Sequence, residues 1–215
     1  MKLLNMVETK SLNHMIRLQR NAPADFKPQE IVYARFTMNP NRPRLGFQAE
    51  ECGVVQNETL GTLLAKRCGA VVQPVTVVPK IPDPLGPGTI TDRDVPVDKP
   101  CTVVLELSAD WEWQFRTQDV GVTSKDDYSD DNCDLWHVNS DGSLARGTPA
   151  NDANPDTGAT RVQNKCRIVM FSVVRRGDHE PQKFNLHIEV LQSATDSVEI
   201  IIDPDVPNNG GTFQP

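Results

Sequence analysis

Apolar and polar residues take turns along most of the second half of the chain, and this period restricts the fold more than any other feature. Val103, Leu105 and Leu107 alternate with Thr102, Val104 and Glu106. Trp111, Trp113 and Phe115 alternate with Glu112, Gln114 and Arg116, and Phe184, Leu186, Ile188 and Val190 with Asn185, His187 and Glu189. Successive side chains of a strand point to opposite faces, so a period of two builds a strand with one apolar face, and a helix cannot use it. Cys166 to Val174 is apolar at nearly every position and fits a central strand. Leu135–Val138 is a shorter candidate, and Val198–Ile202 is the last strand, stopped by Asp203-Pro204. Asp141-Gly142 and Arg176-Gly177-Asp178 mark turns between runs. Six or seven short strands in about 110 residues predict an antiparallel β-sandwich of immunoglobulin-like architecture over residues 101–215.

The first hundred residues have a different character. Residues 2–20 place Leu4, Val7, Leu12, Met15 and Ile16 roughly on one helical stripe with Lys2, Lys10, Arg17 and Arg20 elsewhere, so residues 1–22 predict an amphipathic helix or arm. Residues 23–78 predict a small α+β region. Glu30–Met38 is rich in β-formers, and Leu45–Ala49 is a possible short strand. Asn57–Cys68 carries helix signals: Asn57 as N-cap, a Leu60, Leu63, Leu64 stripe, Lys66 and Arg67 in the last turn and Gly69 beyond it. Ala70–Val78 returns to β character, but Pro74 restricts it to an edge or bulged strand. Six of the 17 prolines fall in residues 79–100, which cannot supply regular ladder bonds and so read as a linker and a domain boundary. Charge divides at the same place. Residues 1–100 hold 13 Lys/Arg and 10 Asp/Glu, net +3, and residues 101–215 hold 9 and 19, net -10. A basic head is thus expected on an acidic sandwich.

The residues from Phe184 to Val190, followed by Ile200-Ile201-Ile202-Asp203-Pro204-Asp205-Val206 and Asn208, resemble the close of the bacterial DP-EP family. The resemblance covers about residues 99–210 and implies a bacterial β-domain without carrying any activity.

Chemistry-bearing patterns are sparse. Asp130, Asn132 and Asp134 form D-x-N-x-D, and Asp152, Asn154 and Asp156 repeat it; alternating oxygens of this kind can converge on calcium. The EF-hand loop is not matched, because Leu135 stands where its sharp turn requires Gly. The alternative is a solvated acidic loop that keeps strand edges soluble. Cys133 and His137, four apart on a strand, share a face, but a soft metal would need two more ligands. The five cysteines include no C-x-x-C pair and predict buried thiols rather than disulfides. The Trp111, Trp113, Phe115 stripe is expected in the core, with a stacking surface as the alternative. The sequence contains no G-x-S-x-G, H-E-x-x-H, P-loop or G-x-G-x-x-G motif, and no residue is assigned as catalytic or cofactor-binding.

Three functions are consistent with these patterns. The first is a non-enzymatic cytoplasmic β-sandwich protein that works through protein–protein contact or self-assembly. The second is a calcium- or small-ligand-binding module using the loops at 126–158. The third is an enzyme that acts on a small molecule or nucleotide through a site with no recognised motif. The acidic balance argues against nucleic acid as a partner, and no apolar stretch has the roughly 18 residues a membrane span requires.

Overall fold

The structure, a computed structural model, describes residues 28, 30–39, 46–69, 71–79, 95, 97, 100–116, 121–124, 132–139, 142–149, 160–161, 165–173, 182–193, 196–202 and 205–206. The strands in chain order are β1 (Glu30–Asn39), β2 (Gly46–Val55), β3 (Val77–Pro79), β4 (Cys101–Leu107), β5 (Trp113–Phe115), β6 (Val122–Ser124), β7 (Asn132–Val138), β8 (Leu144–Arg146), β9 (Thr148–Pro149), β10 (Thr160–Arg161), β11 (Ile168–Val173), β12 (Gln182–Leu191), β13 (Ser197–Ile202) and β14 (Asp205–Val206), with helix α1 (Leu60–Cys68) between β2 and β3. The protein is mainly β, as the alternation predicts.

One sheet runs β3-β2-β1-β4-β11-β7-β8 and the other β13-β12-β6-β10-β9, with β5 and β14 also on β12. β1 and β4 pair in parallel from Glu30↔Cys101 to Phe36↔Leu107, while the other neighbours in the first sheet are antiparallel. The pairings among the strands of residues 101–215 are antiparallel, as expected, but β4 is joined through β1 into a seven-stranded mixed sheet that an immunoglobulin-like sandwich over 101–215 does not include. The parallel ladder spans the proline-rich segment 79–100. Strands from both sides of that segment share one sheet, and Val32, Ala34 and Phe36 pack in one core with Val103, Leu105, Leu186 and Ile188.

Two cores flank the first sheet. Val32, Ala34, Phe36, Val103, Leu105, Leu107, Val169 and Phe171 face the second sheet. Tyr33, Val104, Ile168 and Met170 face the other way, against Leu63 and Leu64 of α1. The period of two is present, but α1 covers the side that was expected to meet solvent. All seven residues of β4 are therefore buried, including Thr102 and Glu106.

The helix starts later than its sequence signals suggest. Thr59 is the N-cap, and its hydroxyl accepts from the Thr62 amide at 3.2 Å. Asn57 instead takes φ 54° in the preceding turn, a left-handed conformation that Asn tolerates better than most residues. At the edge of the first sheet, Pro79 pairs with Gly53. A Cβ on Gly53 would lie 2.2 Å from the carbonyl oxygen of Val78, so the close approach of β2 and β3 depends on that missing side chain. The N-terminal residues 1–22 lie outside the described residues, and no described helix is long and apolar enough to cross a membrane.

His137 on β7 is fully buried, and neither ring nitrogen has a hydrogen-bond partner. Burial pushes its pKa below the ordinary 6.5. As pH falls through 6.5, the unfolded chain takes up this proton before the folded one does. Stability should therefore decline on the acid side of 6.5, and His137→Leu should flatten that part of a urea-unfolding pH profile. Gly53→Ala should cost about 1–3 kcal/mol by forcing β3 away from β2, a loss readable by chemical denaturation.

Candidate functional site

Glu106 lies near the carboxyl end of β4, on the face covered by α1. A carboxylate in that position has no water to solvate it and needs other partners. Arg67, in the last turn of α1, supplies a two-point contact: Nε donates to Oε2 at 2.7 Å and Nη2 to Oε1 at 2.6 Å. The Tyr33 hydroxyl of β1 donates to Oε2 at 2.8 Å. The Arg67 and Glu106 side chains are each 4% exposed. A third donor, Arg67 Nη1, reaches the Gln73 carbonyl at 2.8 Å and ties the segment after the helix to the same cluster. Burial works against the Arg67 charge, but the Glu106 contacts outweigh it and hold the guanidinium above its ordinary pKa. Burial, followed by the Glu106 charge, pushes the Tyr33 hydroxyl far above its ordinary range, so it remains a donor.

A cleft of about 670 Å³ opens beside this cluster. Because β11 runs opposite to both β4 and β7, the carboxyl ends of β4 and β7 meet the start of β11 at the same end of the sheet. Arg67, Cys68 and Gly69 close one side, Val138 and Asn139 another, and the segment Trp111–Gln114 leading into and forming β5 a third. Backbone bonds fix these walls. The Leu107 amide donates to the Arg167 carbonyl at 2.8 Å, Phe115 to Cys166 at 3.0 Å and Leu191 to Glu112 at 2.7 Å. Trp113 is buried, and its indole donates to the Ser108 carbonyl at 2.6 Å. Trp111 is half-buried, packed against the core while lining the cleft.

The charges of the cleft do not balance locally. Arg67 and Glu106 cancel each other. Lys165 and Arg167 remain, and neither has an ion pair or side-chain hydrogen bond among the described residues. Arg167 is half-buried, and its charge, like that of Arg67, opposes the upward push of burial on the Cys68 thiol. The guanidinium is therefore close to the α1 wall. Glu112, exposed at the rim, is the unpaired carboxylate among the described cleft residues. Burial pushes Cys166 up to about 12, so this thiol stays protonated.

The residues singled out from sequence are elsewhere. Asp130, Asp152, Asn154 and Asp156 lie outside the described residues, and Asn132 and Asp134 are placed only as backbone positions of β7. Among the described residues no cluster of three or more His, Cys, Asp or Glu forms a metal site. Of the aromatic stripe, Trp113 and Phe115 are in the core as expected, and Trp111 borders the cleft. In the sequence Arg67 and Glu106 read only as helix and strand positions, and none of Arg67, Glu106, Lys165 and Arg167 stands out as a site residue. The available signal was Glu106 itself, an acid inside an otherwise apolar strand.

A family model described as a predicted novel nucleotide synthetase matches residues 55–211. All residues lining the cleft, Arg67 to Leu191, fall inside that span. No curated protein and no solved structure matches the chain. The family match corrects two expectations. The DP-EP resemblance, built on short strand-ending motifs, does not identify the family. The non-enzymatic role through protein–protein contact or self-assembly gives way to the enzyme alternative, which the family description fits.

Removing one member of the buried pair leaves the other charged and unsolvated, so Arg67→Met should destabilise the fold by about 3–5 kcal/mol. Arg67→Met with Glu106→Leu should recover much of that loss. Thermal and urea unfolding of the two variants tests both statements.

Proposed function

The chain belongs to the predicted novel nucleotide synthetase family, and on that footing we propose that it is an enzyme acting on a nucleotide bound in the cleft beside Glu106. The observation that carries this reading is the pair of cations, Lys165 and Arg167, that have no ion-pair partner among the described residues and lie in the same cleft as Trp111. A half-buried guanidinium without a carboxylate suits a phosphate, which accepts its planar fork in two-point contact. Lys165 adds a second, more mobile positive charge at the rim. The half-buried indole of Trp111 offers an apolar face on which a base can stack. The carboxyl end of the α1 dipole opens toward the same space and disfavours anions by a fraction of a kcal/mol to about 1. Charge-assisted bonds worth about 1.5–3 kcal/mol each exceed that opposition.

The two cleft carboxylates have different parts. Glu106 accepts three hydrogen bonds and is committed to the fold. Glu112 has no such commitments among the described residues and is the carboxylate available to take or give a proton at a bound nucleotide.

Calorimetric titration with ATP, GTP, CTP and UTP in the presence of magnesium should give saturable binding. Arg167→Ala and Trp111→Ala should each weaken it about tenfold or more, and added salt should weaken it further. Mass spectrometry of the same mixtures should reveal a new nucleotide product, formed much more slowly by Glu112→Gln. If none of the four binds, or if Arg167→Ala binds as well as the unmodified protein, the cleft is not the nucleotide site.

A further inference from the structure

Gln114, in the middle of β5, is only 7% exposed and lines the cleft. Its Nε2 donates to Oε2 of Glu189, the residue opposite it on β12, at 3.0 Å. A carboxylate can only accept, so Glu189 fixes which end of the amide it holds. The NH2 group is kept toward Glu189, and the carbonyl oxygen is turned away from it. No described residue donates to that oxygen, and it is not among the buried side-chain atoms sealed without a partner. Gln114, a residue of the cleft wall, is thus a buried amide whose orientation is fixed by a charge and whose acceptor end meets no donor among the described residues.

We propose that Gln114 determines base specificity and that its carbonyl oxygen accepts a hydrogen bond from the exocyclic amino group of the bound base. The inference rests on the nucleotide reading of the cleft and deepens it. Adenine and cytosine present an amino donor where hypoxanthine and uracil present an oxo acceptor. Against the Gln114 oxygen the amino group forms a bond, whereas the oxo group sets two acceptors face to face and leaves both unsatisfied. Glu189 is a positioning residue in this scheme. Without its carboxylate the amide can turn and offer its NH2 end to an oxo base.

Two pairs of nucleotides differ at this group, ATP with ITP and CTP with UTP, and calorimetric titration of the full chain with all four tests the proposal. The unmodified protein should bind the amino member of any pair it binds about tenfold or more tightly than its oxo counterpart. Gln114→Met should abolish that ratio, and Glu189→Gln should narrow it while ATP or CTP still binds. Equal affinities within a pair, tighter binding of ITP or UTP, or a preference that survives Gln114→Met would overturn the proposal. The comparison on the unmodified protein decides the matter even if a variant does not fold. Binding of all four without preference removes this inference and leaves the nucleotide reading standing, whereas binding of none of them, nor of GTP, removes both.

Discussion

A carboxylate on a strand buried on both faces sets the terms for much of this structure. β4 sits in the middle layer, with the second sheet on one side and α1 on the other, and Glu106 occupies the helix side. Leaving that charge unpaired would cost several kcal/mol. The structure answers with Arg67 from the end of α1 and Tyr33 from β1. The contact therefore joins the helix to two parallel strands. It also fixes the rotation of α1, because Arg67 must face the sheet along with Leu63 and Leu64. Leucine burial contributes about 1.5–3 kcal/mol per side chain without strong direction. The two-point Arg–Glu contact adds direction, since only one placement of the last helical turn satisfies both oxygens.

The same pair shapes the electrostatics of the cleft. By neutralising each other, Arg67 and Glu106 leave the local field to Lys165, Arg167 and Glu112. Without Arg67, the two carboxylates would balance the two remaining cations, and an anion would gain little there. A chain with overall charge -7 can in this way hold a cleft suited to anionic ligands. Net charge bears on solubility and on large polyanionic partners. It says little about a site of a few residues.

Legibility in the sequence followed the range of the interactions involved. Strand positions were readable because alternation is local: β1, β4, β11, β12 and β13 fall where the pattern places them. The helix was readable too, although its cap moved from Asn57 to Thr59 because both residue types can cap and only the backbone path chooses between them. The pairing of β1 with β4 was not readable. Its partners are about seventy residues apart and separated by the proline-rich stretch, and a parallel crossover leaves no local turn signature. The site depended on that pairing. In the sequence Lys66 and Arg67 read alike, as ordinary cations of a last helical turn, and Lys66 behaves so, bonding Glu58 at 2.6 Å. Only the position of β4 beneath α1 makes Arg67 different from its neighbour.

The family match begins at Val55, the last residue of β2, and so leaves β1 outside it. Yet β1 occupies a whole edge of β4, gives Val32, Ala34 and Phe36 to the core between the sheets, and brings the Tyr33 hydroxyl to Glu106. Without it, β4 would present an unpaired edge of seven residues in the middle layer, and Glu106 would keep Arg67 alone as a buried donor partner. Unpaired backbone groups in such a place are costly. The segment that carries the cleft residues is therefore held in place in part by a strand outside it. The cleft takes its chemistry from residues 67 to 191 and its rigidity in part from residues 30 to 39.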